Sequence, residues 1–204
     1  LSGYNAEALC FLEKNDWKSA QRIIDKAASY HPPDEPAQAE SYRRYRIINV
    51  QALIYLRTKG KAEALEFLDK HCSECIDQIK KDPPENIKEG LLDALITFYH
   101  GILQLYTDSA DFPGAATRID EQNLVLESFG VDLDVGAINK PSDNVRAHYC
   151  QICGSILAHV GRKSDAVKYY QREIELLSSR SNKLNHSGVI EDAKAELKKC
   201  LDEP

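Results

Sequence analysis

The sequence contains no long apolar run. A helix that crosses a bilayer needs ~18–20 consecutive apolar residues. The nearest stretch, Leu91 to Tyr106, is interrupted by Asp93, His100 and Gln104. No membrane association is expected. A surplus of basic charge is also missing: 26 Lys and Arg stand against 32 Asp and Glu, for a net charge of −6. Nucleic-acid binders neutralise phosphates with Lys and Arg, so this balance argues against that class. The acidic excess is spread along the chain and forms no tail, which speaks only for solubility. Methionine is absent. The chain shows no basic-then-apolar leader, so no signal peptide is expected, and its first residue, Leu1, is not Met, so it is read as a fragment of a longer protein. There is no Walker loop, no Gly-rich dinucleotide turn after a strand, and no supported Ser/His/Asp set. The expectation is a protein that is not an enzyme and needs no cofactor.

Cysteine is present six times, at positions 10, 72, 75, 150, 153 and 200. Small secreted domains use closely set loop cysteines as staples. These lie mostly inside helical patterns and read as reduced thiols serving as small apolar side chains. A reducing compartment follows, cytoplasmic or nuclear. The remaining composition, 43% hydrophobic and 28% charged, is that of an ordinary globular protein.

Proline divides the chain. Pro32, Pro33 and Pro36 form one cluster, Pro83 and Pro84 a second, and Pro141 with Ser142 a third. Proline cannot continue a helix interior, so these clusters cut the chain into four blocks. Each block has an inner break: Asn15-Asp16, Lys59-Gly60-Lys61, Asp108 to Gly114, and Gly161-Arg162-Lys163. Apolar spacing within the blocks is helical, and no stretch alternates as a strand would. The spacing predicts helices over 4–14, 16–30, 35–58, 61–81, 85–108, 114–129, 142–160, 163–181 and 187–202. They pair as hairpins over 4–30, 35–81, 85–129 and 142–181 in one continuous domain, 1–204. The last helix sets Val189, Ile190, Ala193, Leu197 and Leu201 on one face with charges opposite, as a terminal cap should. Helix 85–108 is apolar nearly all round and is read as buried, with a partner-binding stripe as the other reading.

The blocks repeat one another. Ala8, Phe11, Ala20, Ile24, Ala27 and Pro32 are separated by three, nine, four, three and five residues. The same gaps recur in Ala52, Tyr55, Ala64 and Leu68, and again in Gly154, Leu157, Ala166 and Tyr170. The third block fits only with a two-residue expansion of its turn, pairing Gly101 with Ala115. Small residues at these places let two helices nest closely. This pattern resembles the tetratricopeptide-repeat superfamily over nearly the whole chain, as a divergent long-helix member. The intervals from Ala20 to Ala64 to Ala115 to Ala166 are 44, 51 and 51 residues, against a usual period of ~34.

The resemblance implies an all-α, right-handed superhelical stack of four antiparallel hairpins plus a C-terminal cap. It also implies that the first helices line a concave groove gripping a partner peptide or helix. The inward positions would carry Asn5, Leu9, Arg46, Asn49, Leu53, His148, Gln151 and Ser155, with Arg43 beside Arg46. The lysines that chaperone-binding members use to clamp a terminal carboxylate are absent from that set. Arg43 and Arg46 share a helix face, and their guanidinium forks could hold a carboxylate or phosphate. The plainer reading is a solvated helix start answering Glu35 and Glu40.

Other features read as bland. Cys72/Cys75 and Cys150/Cys153, flanked by His71 and His148, could supply four thiolates to zinc. They sit on helical stripes where packed apolar residues belong, so core packing is the stronger reading. Asp132 to Gly136 lacks the Glu and the Gly offset of a calcium loop. Asn185-His186-Ser187 is a glycosylation sequon with no meaning inside a cell. The leading functional expectation is a protein-protein interaction module or scaffold subunit. The alternatives are a phosphopeptide reader similar to 14-3-3 proteins, working through Arg43 and Arg46, and a purely structural subunit of a larger assembly.

Overall fold

A computed structural model describes residues 2–30, 37–131, 143–178 and 187–202, with the side chains of all of these except 2, 3, 5 and 37–43. Nine helices and no strand occur among them: α1 (Ser2–Glu13), α2 (Trp17–Ser29), α3 (Ala37–Thr58), α4 (Lys61–Ile79), α5 (Glu85–Asp108), α6 (Phe112–Ser128), α7 (Asp143–His159), α8 (Lys163–Ser178) and α9 (Ser187–Asp202). The all-α expectation holds. Several readings fall outside the described residues: the breaks at Pro32, Pro33 and Pro36 and at Pro141-Ser142, the run Asp132 to Gly136, and Asn185-His186 of the sequon. So do the side chains of Asn5 and Arg43. No described helix is long and apolar enough to cross a membrane. The chain divides into two compact units, Leu1–Leu105 and Tyr106–Pro204, with the boundary inside α5.

One hydrogen-bond pattern recurs at the turns after α1, α3, α5 and α7. A turn N–H reaches five residues back: Asp16 to Phe11 (2.8 Å), Gly60 to Tyr55 (3.0 Å), Asp111 to Tyr106 (3.0 Å) and Arg162 to Leu157 (2.8 Å). The carbonyl of the same residue accepts from the N–H four residues on, that of Ala20, Ala64, Ala115 or Ala166. Each of the turns has a residue with positive φ: Asn15 (φ 57), Gly60 (φ 107), Ala110 (φ 54) and Gly161 (φ 81). This closure satisfies carbonyls that a helix end would otherwise leave unpaired. All four alanines are fully buried. Asp16 and Asp111 cap α2 and α6, their carboxylates accepting from the N–H of Ser19 (3.1 Å) and Gly114 (3.0 Å).

The third turn corrects the expected two-residue expansion. Tyr106, Asp111 and Ala115 keep the spacing of Phe11, Asp16 and Ala20, so this turn is no longer than the others. The place three residues before Tyr106 belongs to Leu103, and the small residue sits two positions earlier, at Gly101. Gly101 serves a different contact, since a Cβ there would come within 2.7 Å of Asn49 Oδ1. α6 also starts earlier than expected, at Phe112. Pro113 fits its first turn because the missing N–H would have had no helical partner.

In the first unit, Ala8, Ala20, Ile24, Ala27, Ile47, Val50 and Ile54 form one apolar cluster. α4 buries Ala64, Leu68, Cys72, Cys75 and Ile79 at helical spacing. Ring contacts tie α3, α4 and α5 together: Tyr55–Phe67 (5.0 Å), Phe67–His71 (4.8 Å), His71–Phe98 (5.7 Å) and Tyr45–Phe98 (5.6 Å). The expected all-round burial of α5 is present from Leu91 to Leu105, while Tyr106 is half-buried.

In the second unit α7 packs on α8 and α8 on α9. Ala147, Cys150, Leu176, Leu177 and Ile190 share a core, with Val189 packed against it. Gly154 allows the Tyr170 ring to approach, since a Cβ would meet Tyr170 Cε1 at 2.9 Å. α9 buries Ile190 and Ala193, but Leu201, expected on the same face, is 63% exposed.

Candidate partner-binding surfaces

On α3, Arg46, Asn49 and Leu53 lie at i, i+3 and i+7 and so share a helix face. Arg46 is exposed and Leu53 half-buried. Asn49 has a different job: its Nδ2 donates to the Thr97 carbonyl of α5 (2.8 Å). Its amide joins two helices, leaving Arg46 and part of Leu53 facing water. On α1, Leu9 is 38% exposed. In the second unit, His148, Gln151 and Ser155 make the corresponding stripe on α7, and all three are exposed. The opposite side of that helix buries Tyr149, Cys150 and Cys153. Ser155 is also a hydrogen-bond partner of Tyr170, whose hydroxyl is pushed up chiefly by burial.

The paired cysteines are buried on their helices. Burial pushes the Cys75 thiol up to about 11, with Glu74 adding to the shift. Burial likewise lifts Cys153 well above the usual thiol range, with Cys150 adding and hydrogen bonds to Tyr149 and Tyr169 opposing. Both are neutral thiols, poor nucleophiles and poor metal ligands in that form. Among the described residues no group of three or more His, Cys, Asp and Glu is placed to hold a metal ion. Cys10, read as a helical apolar residue, is exposed.

A polar cleft of about 230 Å³ in the second unit has no counterpart in the sequence reading. Its floor includes Ile119, Leu126 and Leu157. Arg162 crosses its rim, with Nη1 on both oxygens of Asp120 (3.0 and 2.8 Å) and Nε and Nη2 on Asp165 Oδ2 (3.0 and 2.8 Å). The guanidinium is held well above its ordinary range by these bonds, and Arg162 first of all holds the Asp165 carboxyl below its own. Deeper in, the Tyr169 hydroxyl donates to Asn123 Oδ1 (2.9 Å). With two carboxylates already engaged, Arg162 braces α6 against the start of α8. The sequence offers Gly161-Arg162-Lys163 only as a turn, because the partner Asp120 lies 42 residues away.

Compared with known proteins, the chain matches no family model, no curated protein and no solved structure.

Proposed function

We propose that this chain is a protein-protein interaction module of the tetratricopeptide-repeat type. In this reading its helix pairs stack as a right-handed superhelix capped by α9. The first helices of the pairs face one concave side, which holds a partner peptide or helix. The observation that carries the reading is the repeated turn. Four segments of unlike sequence close by the same backbone hydrogen bonds and place a fully buried alanine at the same offset. Recurrence of one supersecondary unit is the mark of a repeat architecture, and such surfaces bind extended partners. The exposed stripe His148, Gln151 and Ser155 and the exposed Arg46 are the groove residues of choice.

The test is site-specific photocross-linking in cells. A benzophenone side chain at Gln151 or Leu53 should capture a discrete partner, and one at Glu191 on the exposed side of α9 should not. Equal capture from all three positions, or from Glu191 alone, would overturn the reading. Contacts made through Leu53 and the neutral side chains Gln151 and Ser155 should also persist at high salt, whereas recognition by Arg46 alone would weaken steeply.

A further inference from the structure

The first unit carries an open groove of about 380 Å³ between α2 and α3. Ile54 forms an apolar floor, and the rings of Trp17 and Tyr55 stand at its sides. Trp17 is 42% exposed, which is unusual for so large an apolar surface. Across the groove Gln21 and Gln51 pair amide to amide, each Nε2 donating to the other's Oε1 (2.8 and 2.9 Å). The second N–H of Gln21 goes to Asp25 (2.8 Å). Lys59 Nζ sits 3.8 Å from the Tyr55 ring centroid and Lys18 Nζ 5.3 Å from that of Trp17. Neither ammonium forms an ion pair with a described residue.

The unused hydrogen-bonding groups of the lining are mostly donors: one N–H of Gln51, the indole N–H of Trp17 and the Lys59 ammonium, with the Lys18 ammonium beside Trp17 just outside the lining. The Tyr55 hydroxyl can act either way, and the Thr58 hydroxyl, already donating to the Ile54 carbonyl (2.9 Å), can only accept. A fitting ligand is therefore rich in acceptors and poor in donors. It needs a flat apolar part to lie on Trp17 and negative charge to answer Lys18 and Lys59. Proline next to Asp or Glu meets all of these conditions. Proline has no N–H, its segments are preordered in the extended polyproline form, and they dock on aromatic-lined grooves. Lys59 is the charged residue of the lining itself, while Asp25 is taken by Gln21 and Asp16 lies toward Lys18 outside it.

We propose that the groove between α2 and α3 docks an extended, acidic, proline-containing peptide of a partner protein. The proposal uses a different face of α3 from the Arg46 stripe and does not rest on the repeat reading, so either can fail without the other.

Trp17 is the only tryptophan of the chain, so intrinsic fluorescence reads this groove directly. The experiment titrates the full chain with the synthetic peptide acetyl-Glu-Pro-Pro-Asp-Pro-Glu-amide. Two comparison peptides replace every proline by alanine or every acid by lysine. A saturable fluorescence change is expected with the first, weaker by about tenfold or more with each comparison peptide. Lys59→Glu, an exposed substitution that spares the fold, should weaken the first peptide by about tenfold, while Lys198→Glu on α9 should leave it unchanged. The proposal is overturned by the absence of a saturable change up to millimolar peptide. Equal binding of the acidic and basic peptides, or a silent Lys59→Glu, also overturns it.

Discussion

Among the described residues of the first unit one polar side chain, Thr97, is buried, and its hydroxyl donates to the Asp93 carbonyl (2.7 Å). The second unit buries Gln122, Asp143, Arg172 and Glu173. Both units close their helices with the same turn, yet they fill the space behind it differently. An interior of Ala, Ile, Val and Leu gains stability in proportion to the apolar area removed from water and has nothing to titrate. An interior with charges must supply each with a partner or carry the cost. Arg172 is answered by Glu175 (3.1 Å), but Glu173 Oε2 is buried without a hydrogen bond. The first unit should therefore be brittle to added charge and nearly flat in pH between the range of its Asp16 cap and that of its buried Cys75 thiol, and the second should respond within that window.

The largest effect is expected at Ala20. It is fully buried in the cluster of α1, α2 and α3, so Ala20→Glu both overpacks the contact and buries an unpaired carboxylate. Overpacking alone costs ~1–3 kcal/mol and the charge adds to it, so a loss of ~3 kcal/mol or more is expected. Hydrogen exchange should show α1 to α3 losing protection while α7 to α9 keep theirs. Equal loss in both units would erase the comparison.

Next is Glu173. Burial, with Asp192 of α9 adding to it, pushes its carboxyl from 4.5 up to about 7. The group is protonated in the folded chain where the unfolded chain would already be ionised. Its share of stability is thus fully present below pH ~4.5 and is lost as pH rises to about 7. At roughly 1.4 kcal/mol per unit, the loss is on the order of 3 kcal/mol. Glu173→Gln removes the titration, so its stability relative to the parent should rise by about that amount between pH 4.5 and 7.5. Denaturant melts at both pH values check it, and a constant difference would show that the carboxyl is not desolvated.

Two glycines carry smaller effects of opposite sign. Gly154→Ala must displace the Tyr170 ring from 2.9 Å and should cost ~1–2 kcal/mol despite the better helix propensity of alanine. Gly90→Ala, in α5 with nothing within 4 Å of the new Cβ, should stabilise by ~0.5–1 kcal/mol. Thermal melts of the two variants separate the cases, and like signs would mean that one helix is placed wrongly.

The helices were readable because proline, glycine and apolar spacing are local signals. All nine described helices lie where that spacing predicts them, and ends such as Phe112 shift by the length of a cap. The small positions were readable because close helix contact tolerates only alanine or glycine there. Gly101 misled for the same reason: it is small for Asn49 and has no part in the turn. What stayed hidden is tertiary. Glu173 lies on the apolar stripe of α8, three after Tyr170 and four before Leu177, yet its carboxyl shift comes from desolvation and from Asp192 of α9, which no spacing shows. Asn49 reads as a groove residue until Thr97 of α5 is seen to take its amide. Arg162 and Asp120, or Gln21 and Gln51, are partners that no spacing connects.

The smallest effect is expected one residue from the largest. Ser19 is half-buried at the third position of α2, and its N–H donates to the Asp16 cap. A glutamate there keeps that backbone bond. Acidic residues in a first helical turn interact favourably with the helix dipole, by ~0.3–1 kcal/mol. The full capping box is not available, because the Asp16 N–H already donates to Phe11. Arg22, whose Nη2 now donates to Ser19 Oγ (3.2 Å), can turn to the new carboxylate, while Asp16, held below the usual carboxylate range chiefly by its hydrogen bonds from Ser19, repels it. The Ser19 hydroxyl's own bond to Asp16 is lost as well, so Ser19→Glu should change stability by no more than ~1 kcal/mol. Adjacent positions on α2 would then respond very differently to the same added charge, a contrast that only burial of Ala20 against α1 explains. Matching losses at the two positions would mean that the register of the first helix pair is wrong, and the repeat built on it would fall as well.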